Sequence, residues 1–598
     1  MVQEKALDLE ALRRKYDDER ERRLSVKDRA HYIYLDGELA DRFDTDPWAP
    51  TDGSREPVER EIEVVIVGGG FAGLLAGAHL RKHGLGSEDI CMIDRGADFG
   101  GTWYWNRYPG LSCDTESYCY LPLLEETGYI PRQKYSMQPE ILEHSQRIGR
   151  HFGLYDKALF QTRIIDARWD EATSRWSITT DRGDKIAARY FWLCGGATNR
   201  PKLPGIEGIT DFKGHSFHTM RWDYAYSGGG PDGELVNLRD KRVGLIGTGA
   251  SAIQAVPSLG PWAKELFVFQ RTPSAVNVRA NRTTDPEWAS SLEPGWQMRR
   301  MENFLNIVAG EPQDEDLVAD AWTWNFKHVR RVYEADKSRI QADDVVEAAD
   351  FARMEEIRER VDSIVKDPVT ADALKAWYGL LCKRPTFHDG YLQTFNLPNV
   401  HLVDTGGEGV ERITEKGVVA NGQEIELDCI VFATGFDTSS GLMKGLGFDP
   451  VGHRGTTLSQ RWMRDLSTLH GMLVSDFPNM FISGGVQGSQ ATTMTYSLGV
   501  QAEHIARIID HCRSSGAAVA EVKPEAEAKW KAEMADKAVD HAEYYGNCTP
   551  GYINFEGGSG HVWEYFYGAG PVVYRQLLNQ WIEDGIADDL VLDGASSR

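Results

Sequence analysis

The chain has no apolar run near the roughly 20 residues that a bilayer-spanning helix requires. Its start, MVQEKALDLEALRRKY, has no apolar signal core either. A membrane partner is therefore not expected, and a cytoplasmic location is. Cysteine is scarce, with eight in 598 residues and no C-x-x-C pair. That points to a reducing compartment rather than a disulfide framework, and no metal site is expected. Positive charge is in deficit: 66 Lys and Arg against 90 Asp and Glu leave a net charge of −24. Such a balance excludes a general nucleic-acid or anionic-membrane surface, so any phosphate ligand must be met by local cations. Low-complexity tracts are absent. The length is too great for one hydrophobic core and implies several domains.

What the chain does contain is a dinucleotide signal, IEVVIVGGGFAGLLAGAHLRKHG, from Ile62 to Gly84. Ile62 to Val67 suit a buried parallel strand, and Leu74, Leu75, Ala76 and Ala78 begin a helix that Gly84 closes. Gly68, Gly70 and Gly73 form G-x-G-x-x-G between them, letting backbone N–H groups approach a pyrophosphate at the helix N-terminus. A second strand, Ile90 to Ile93, ends in Asp94. A carboxylate there accepts hydrogen bonds from ribose hydroxyls and repels a 2′-phosphate, so FAD or NAD fits this unit and NADP does not. Gly100 to Gly110 then brings Thr102, Trp103 and Tyr108 among glycines. That cluster suits a planar ring system, with core packing as its alternative.

A second unit follows Pro201 and Pro204. Arg242 to Ile246 read as a strand, Gly247-Thr248-Gly249-Ala250-Ser251-Ala252 as G-x-G-x-x-A, and Leu266 to Phe269 as the next strand, ending in Gln270-Arg271-Thr272. Arg271 stands where the first unit keeps Asp94, and an arginine there can hold a 2′-phosphate. The first unit thus reads as FAD-binding and the second as NADP(H)-binding. The expected fold is α/β, with two Rossmann-like dinucleotide-binding domains, a helical insertion and an N-terminal extension. By number, 1–60 is the extension, expected to be a solvated surface helix followed by a Pro-rich link. Residues 61–195 are the first part of the FAD-binding domain, and 196–280 the first part of the NADP-binding domain. Residues 281–378 are the insertion, with helices expected near Met298–Ile307, Asp320–Tyr333 and Val345–Ile364. The NADP-binding domain resumes over 379–432, and 433–598 complete the FAD-binding domain and a C-terminal tail. Between the two units, Phe212 to Asp223 reads as a linker with a Gly hinge.

That linker has the pattern F-x-G-x-x-x-H-T-x-x-W-D, carried by His218, Trp222 and Asp223. It resembles the fingerprint of type I Baeyer–Villiger monooxygenases. Gly100-Gly101 through Trp103, Tyr108, Pro109, Gly110 and Asp114 resembles that family's G-G-x-W motif. Asp428 with Ala433-Thr434-Gly435-Phe436 resembles its D-x-x-x-x-A-T-G motif. With the two dinucleotide turns these make five motifs in order. The extension and Cys382 to Asp389 are most similar to the cyclododecanone and cyclopentadecanone monooxygenases.

The resemblance implies that NADPH reduces FAD, that O2 forms a C4a-peroxyflavin, and that this attacks a large or bulky cyclic ketone to give a lactone or ester. It implies Arg384, held by Asp114, as the cation beside the peroxide. It also implies His218, Trp222 and Asp223 as residues coupling NADP position to flavin reactivity, His218 not being a general base. Lys383 and Arg384 are adjacent, so in an extended segment they point opposite ways: Lys383 to the NADP phosphate with Arg271 and Thr272, Arg384 to the flavin. A flavin monooxygenase acting on sulfides or amines is the alternative, and Trp222-Asp223 at the end of the fingerprint speaks for ketones. The segments Val486–Met494 and Phe387–Gly390 are candidate substrate walls. Oligomeric state is not legible.

Overall fold

The computed structural model describes residues 8–594, apart from 27–31, 34, 36, 51, 197, 328–341, 438–440 and 559. A helix, α1 (Leu9–Leu24), precedes the first sheet. That sheet is built on β1 (Glu59–Val67), whose Val64, Val65 and Ile66 are wholly buried. Burial on both faces is what a run without polar alternation requires. Helix α2 (Phe71–Lys82) leaves its end, and Gly84 at φ +85 stops the helix. Parallel to β1 lie β2 (Ile90–Ile93) on one side and the later β5 on the other. The strands β3 (Ile164–Asp170), β4 (Arg175–Thr180) and β5 (Lys185–Leu193) form an antiparallel meander. The spatial order is β2-β1-β5-β4-β3.

The chain then leaves this sheet and builds a second one, entirely parallel. It comprises β6 (His215–His218), β7 (Arg242–Ile246), β8 (Glu265–Gln270), β9 (Val400–Asp404) and β10 (Cys429–Phe432), in the order β9-β8-β7-β10-β6. Helix α3 (Ala250–Leu259) follows β7 as α2 follows β1. Asp428 fixes the start of this sheet by accepting the Arg242 N–H at 2.7 Å. The stretch expected to be a linker is thus corrected: His215–His218 is an edge strand. Its Phe217 and His218 are buried, and backbone pairing to β10 fixes it, a partner far away in sequence.

Between β8 and β9 lies the helical insertion, with Trp296–Val308 and α4 (Ala342–Ile364). Of the helix expected at Asp320–Tyr333, residues 321–327 are helical and the rest lies outside the described residues. After β10 the chain goes back to the first sheet, where β11 (Met480–Ile482) pairs with β5. Helix α5 (Met494–Ser515) then packs on α2. The outgoing and returning passages run side by side. Lys202 donates its N–H to Gly435 O at 3.0 Å, Asp437 donates to Arg200 O at 3.1 Å, and Thr434 Oγ1 donates to Lys202 O at 2.5 Å.

Two expectations fail. Residues 9–24 are not a freely solvated helix: Tyr16 meets Phe351 edge-on at 5.0 Å, Arg358 donates to Tyr16 Oη at 3.1 Å, and Arg23 is buried. The extension also adds a strand, Tyr32–Ile33 paired with Leu203–Pro204, and buries Phe43 against Phe432. Its charges pair mostly along the helix, as Lys15, Arg22 and Arg23 do with Glu19, while Arg13 reaches across to Glu347. Nor are all cysteines free. Cys382 and Cys548, with Cα atoms 5.2 Å apart, form a disulfide, and the other six are buried thiols. Local spacing cannot reveal a pair separated by 166 residues. Among the described residues no helix is long and apolar enough to cross a membrane.

Candidate active site

Both sheets present the ends of their strands to one cavity of about 1140 Å³. On the first side Gly68, Gly70, Asp94, Thr102 and Trp103 line it. Gly73 does not. A Cβ on Gly73 would lie 1.9 Å from Gly68 O, so this glycine seats α2 directly on the turn. Gly70 and Gly101 meet back to back, a Cβ on Gly101 lying 2.6 Å from Gly70 Cα. The wall is thus bare backbone where a pyrophosphate must approach. Asp94 accepts N–H bonds from Gly69 at 2.5 Å and Gly96 at 2.6 Å, and each oxygen retains a second acceptor direction. Burial pushes its pKa up against those bonds. Thr102 Oγ1 lies 2.6 Å from Thr198 Oγ1, and Trp103 Nε1 donates to Tyr120 Oη at 2.9 Å. Tyr108 is buried behind the wall, 3.4 Å from Gln254 Nε2 on α3.

On the second side Gly247, Thr248, Gly249, Ser251, Arg271 and Thr272 line the same cavity. Gly247, at φ +118, packs on the Ala433 carbonyl, which ties the second turn to the Ala-Thr-Gly segment. Thr248 Oγ1 donates to Thr272 O at 2.7 Å. Arg271 Nη2 lies 3.4 Å from Glu556 Oε2. Lys383 has an extended backbone and donates from Nζ to Pro550 O at 2.9 Å. Burial, reinforced by Arg271 and opposed by Glu556, pushes its pKa down to about 7.

Arg384 points the other way, as alternation in an extended segment demands. Its Nε and Nη2 donate to the two oxygens of Asp114 at 2.8 and 2.7 Å, a bidentate pair. The Arg384 side chain is 41% accessible and lines the cavity. It is enclosed by protein yet open to whatever fills that space. Desolvation opposes its charge, but Asp114 outweighs desolvation and the pKa goes up. The same pairing carries the Asp114 pKa down against burial, with help from Arg279. The indole of Trp322, from the insertion, donates to Asp114 O at 2.9 Å and sits 5.3 Å below the guanidinium.

His218, Trp222 and Asp223 do not line the cavity. His218 is wholly buried and accepts the Met220 N–H at 3.1 Å. Burial and then Arg221 push its pKa down to about 3, so the ring is neutral at physiological pH. Trp222 Nε1 donates to Ser227 Oγ at 3.0 Å. Asp223 holds His215 at 2.9 Å and caps a helical turn through the Tyr226 N–H. Together they fix the corner after β6. Sequence reasoning missed Arg23, Arg279 and Glu556, which also line the cavity. None belongs to a local motif; Arg23 and Glu556 arrive from distant segments, and Arg279 follows Arg271 by eight residues. Gln490, Ala491, Thr492, Met494 and Phe387, from the candidate substrate segments, line it too.

Two dinucleotide turns facing one cavity define a flavoprotein oxidoreductase of the two-nucleotide plan. A family model described as an NAD(P)-binding Rossmann-like domain matches residues 66–127. Pentalenolactone D synthase of Streptomyces exfoliatus is 48% identical over 585 residues, covering 96% of this chain and 99% of that one. A Baeyer–Villiger monooxygenase of Streptomyces coelicolor is 46% identical over 599 residues, covering 99% and 98%. Polycyclic ketone monooxygenase from the thermophilic fungus Thermothelomyces thermophila superposes with a TM-score of 0.87 at 38% identity, over 98% of this chain and 99% of that one. The chain belongs to the type I Baeyer–Villiger monooxygenases, NADPH-dependent flavoproteins that convert ketones to lactones or esters. Its fold class is the one the motifs implied.

Proposed function

We propose that this enzyme inserts oxygen beside the carbonyl of a bulky cyclic ketone, with Arg384 and Asp114 as its catalytic pair. The observation that carries the reading is the bidentate pair itself, exposed to the cavity between the two dinucleotide turns. FAD and NADP are the cofactors of the family, and relatives have been solved with them bound. The residues present fit both. On the first side are the bare backbone at Gly70 and Gly101 and the acceptor Asp94; on the second are Gly249, open to the cavity, and the cations Arg271 and Lys383. The chemistry that FAD supplies when bound and reduced by NADPH is activation of O2 for transfer to the ketone.

The chain's own part is electrostatic. Arg384 presents a fixed positive charge where negative charge develops on oxygen, and Asp114 prevents the guanidinium from turning away. Neutral His218 takes no proton. With Trp222 and Asp223 it braces the strand that ends beside the Ala-Thr-Gly segment, and so sets the second turn against the first. Gly68, Gly73, Thr102, Trp103 and Tyr108 shape the flavin side; Gly247, Thr248, Ser251 and Thr272 shape the NADP side. Bulky substrates are supported by two relatives whose names specify polycyclic or pentalenolactone chemistry.

The test is product analysis by mass spectrometry with NADPH, air and cyclododecanone, cyclohexanone or thioanisole. The expected product is a lactone one oxygen heavier than the large ketone. Sulfoxide alone would move the enzyme to the sulfide- and amine-oxygenating class. Arg384→Ala should lower lactone formation by roughly 10³-fold or more, while FAD stays bound and reducible by NADPH. Lactone at the wild-type rate would remove Arg384 from its role.

A further inference from the structure

The cavity wall around Arg271 holds more positive charge than the sequence motifs account for. Arg23, Lys202, Arg271 and Lys383 all line it, in a chain whose net charge is −24. Arg23 and Arg271 each disfavour the charged form of Lys383, and Arg271 does the same to Lys202, so the four share one electrostatic neighbourhood. Glu556 is the carboxylate that acts on Arg271, Lys202 and Lys383 together. Other acids stand nearby: Asp437 acts on Lys202, Glu408 lines the same cavity, and Glu19 divides its charge among Lys15 at 3.1 Å, Arg22 at 3.4 Å and Arg23 at 2.6 Å. The cluster gathers four cationic side chains on one wall of the cavity, donors placed for an anionic ligand.

Arg23 is the unexpected member. It stands in the last turn of α1, nearly 250 residues before the strand it meets. Its side chain is only 8% exposed. Nε donates to Thr272 Oγ1 at 2.9 Å, and Nη1 is held by the Glu19 carboxylate and carbonyl at 2.6 and 2.8 Å. The stem lies flat on the turn at Gly407, where a Cβ would come within 2.9 Å of Arg23 Cγ. A guanidinium fixed by three hydrogen bonds, beside the residue that follows Arg271, sits at the end of β8, the place where a dinucleotide fold reads its ribose 2′ position.

We propose that Arg23 is a binding residue for the coenzyme's 2′-phosphate, beside Arg271 and Lys383, so that the N-terminal helix helps set the preference for NADPH over NADH. This rests on the assignment of Arg271, Thr272 and Lys383 to that phosphate. A planar fork already aligned by Glu19 loses little freedom when it takes up a phosphate oxygen, which favours arginine over lysine here.

The experiment is calorimetric binding of 2′,5′-ADP and of 5′-AMP to the FAD-loaded enzyme. Arg23→Ala should weaken 2′,5′-ADP by about tenfold or more and leave 5′-AMP within about twofold; Arg23→Lys should recover part of the loss. Arg13→Ala, which removes the contact of α1 to Glu347, should leave the ratio of the two affinities unchanged. An equal loss for both ligands in Arg23→Ala, or a shift of the ratio as large in Arg13→Ala, would overturn the proposal in favour of helix docking alone. Arg271→Ala separates the two levels. If it weakens 2′,5′-ADP while Arg23→Ala does not, Arg23 falls and the phosphate assignment stands. If neither variant changes the ratio, the phosphate assignment falls as well.

Discussion

Lys383 and Arg384 are chain neighbours with opposite electrostatics. Arg384 is bonded through two nitrogens to the Asp114 carboxylate, so it stays charged at every accessible pH. Lys383 shares its surroundings with Arg271 and Arg23, and Glu556 only partly offsets burial. Its folded pKa of about 7 lies below the ordinary 10.5, so the ammonium is present below neutral pH and is lost as pH rises through that value. A bound phosphate needs the charged form. NADP+ affinity, measured by titration, should therefore fall by up to about tenfold between roughly pH 6.5 and 8.5, and Lys383→Met should flatten that dependence. A slope unchanged in the variant would assign the titration to another group. Gly73→Ala tests the opposite wall. With its Cβ 1.9 Å from Gly68 O, α2 must shift off the turn, and the purified variant should lack the visible absorbance of bound flavin. The residues legible in the sequence are those whose task is local, such as a glycine at a turn or an acid at a strand end. Arg279 and Glu556 have no such marker, because their neighbours are chosen by the fold.

At the scale of elements, strands read from apolar runs fall within a few residues of those observed: Ile90–Ile93 and Arg242–Ile246 keep both ends, while β1, read from Ile62, begins at Glu59. Its added residues, Glu59 to Glu61, are charged and not buried, so they give no apolar signal, and backbone pairing with β5 makes them strand. β6 was illegible for a different reason. His215–His218 has two histidines in four residues, and only pairing with β10 makes it a strand. The disulfide joins the segment carrying Lys383 and Arg384 to the one carrying Pro550 and Glu556. Alkylation of the denatured chain should label six thiols without reductant and eight with it. Cys548→Ser should lower Tm by several degrees and weaken NADPH binding several-fold, since the bond closes a long loop and holds the Lys383 wall in place. Eight labelled thiols without reductant would show that the pair is not closed.

For the whole molecule, the order of the motifs carried most of the architecture: one dinucleotide unit placed inside another, with helices inside the second. What the order could not show is how the pieces meet. Helix α1 looked solvated because its charges are many, yet Arg13, Tyr16 and Arg23 each find a partner hundreds of residues downstream. The two passages between the sheets, near 200–202 and 434–437, are bonded to each other along their length. They act as one strap and not as two separate posts. A strap two strands wide flexes across its flat face, while lengthening or shear would break its cross-links. The halves also meet where Gln254 accepts the Ser112 N–H at 2.8 Å and where Arg384 grips Asp114, so the strap is one of several ties that hold the two turns in register.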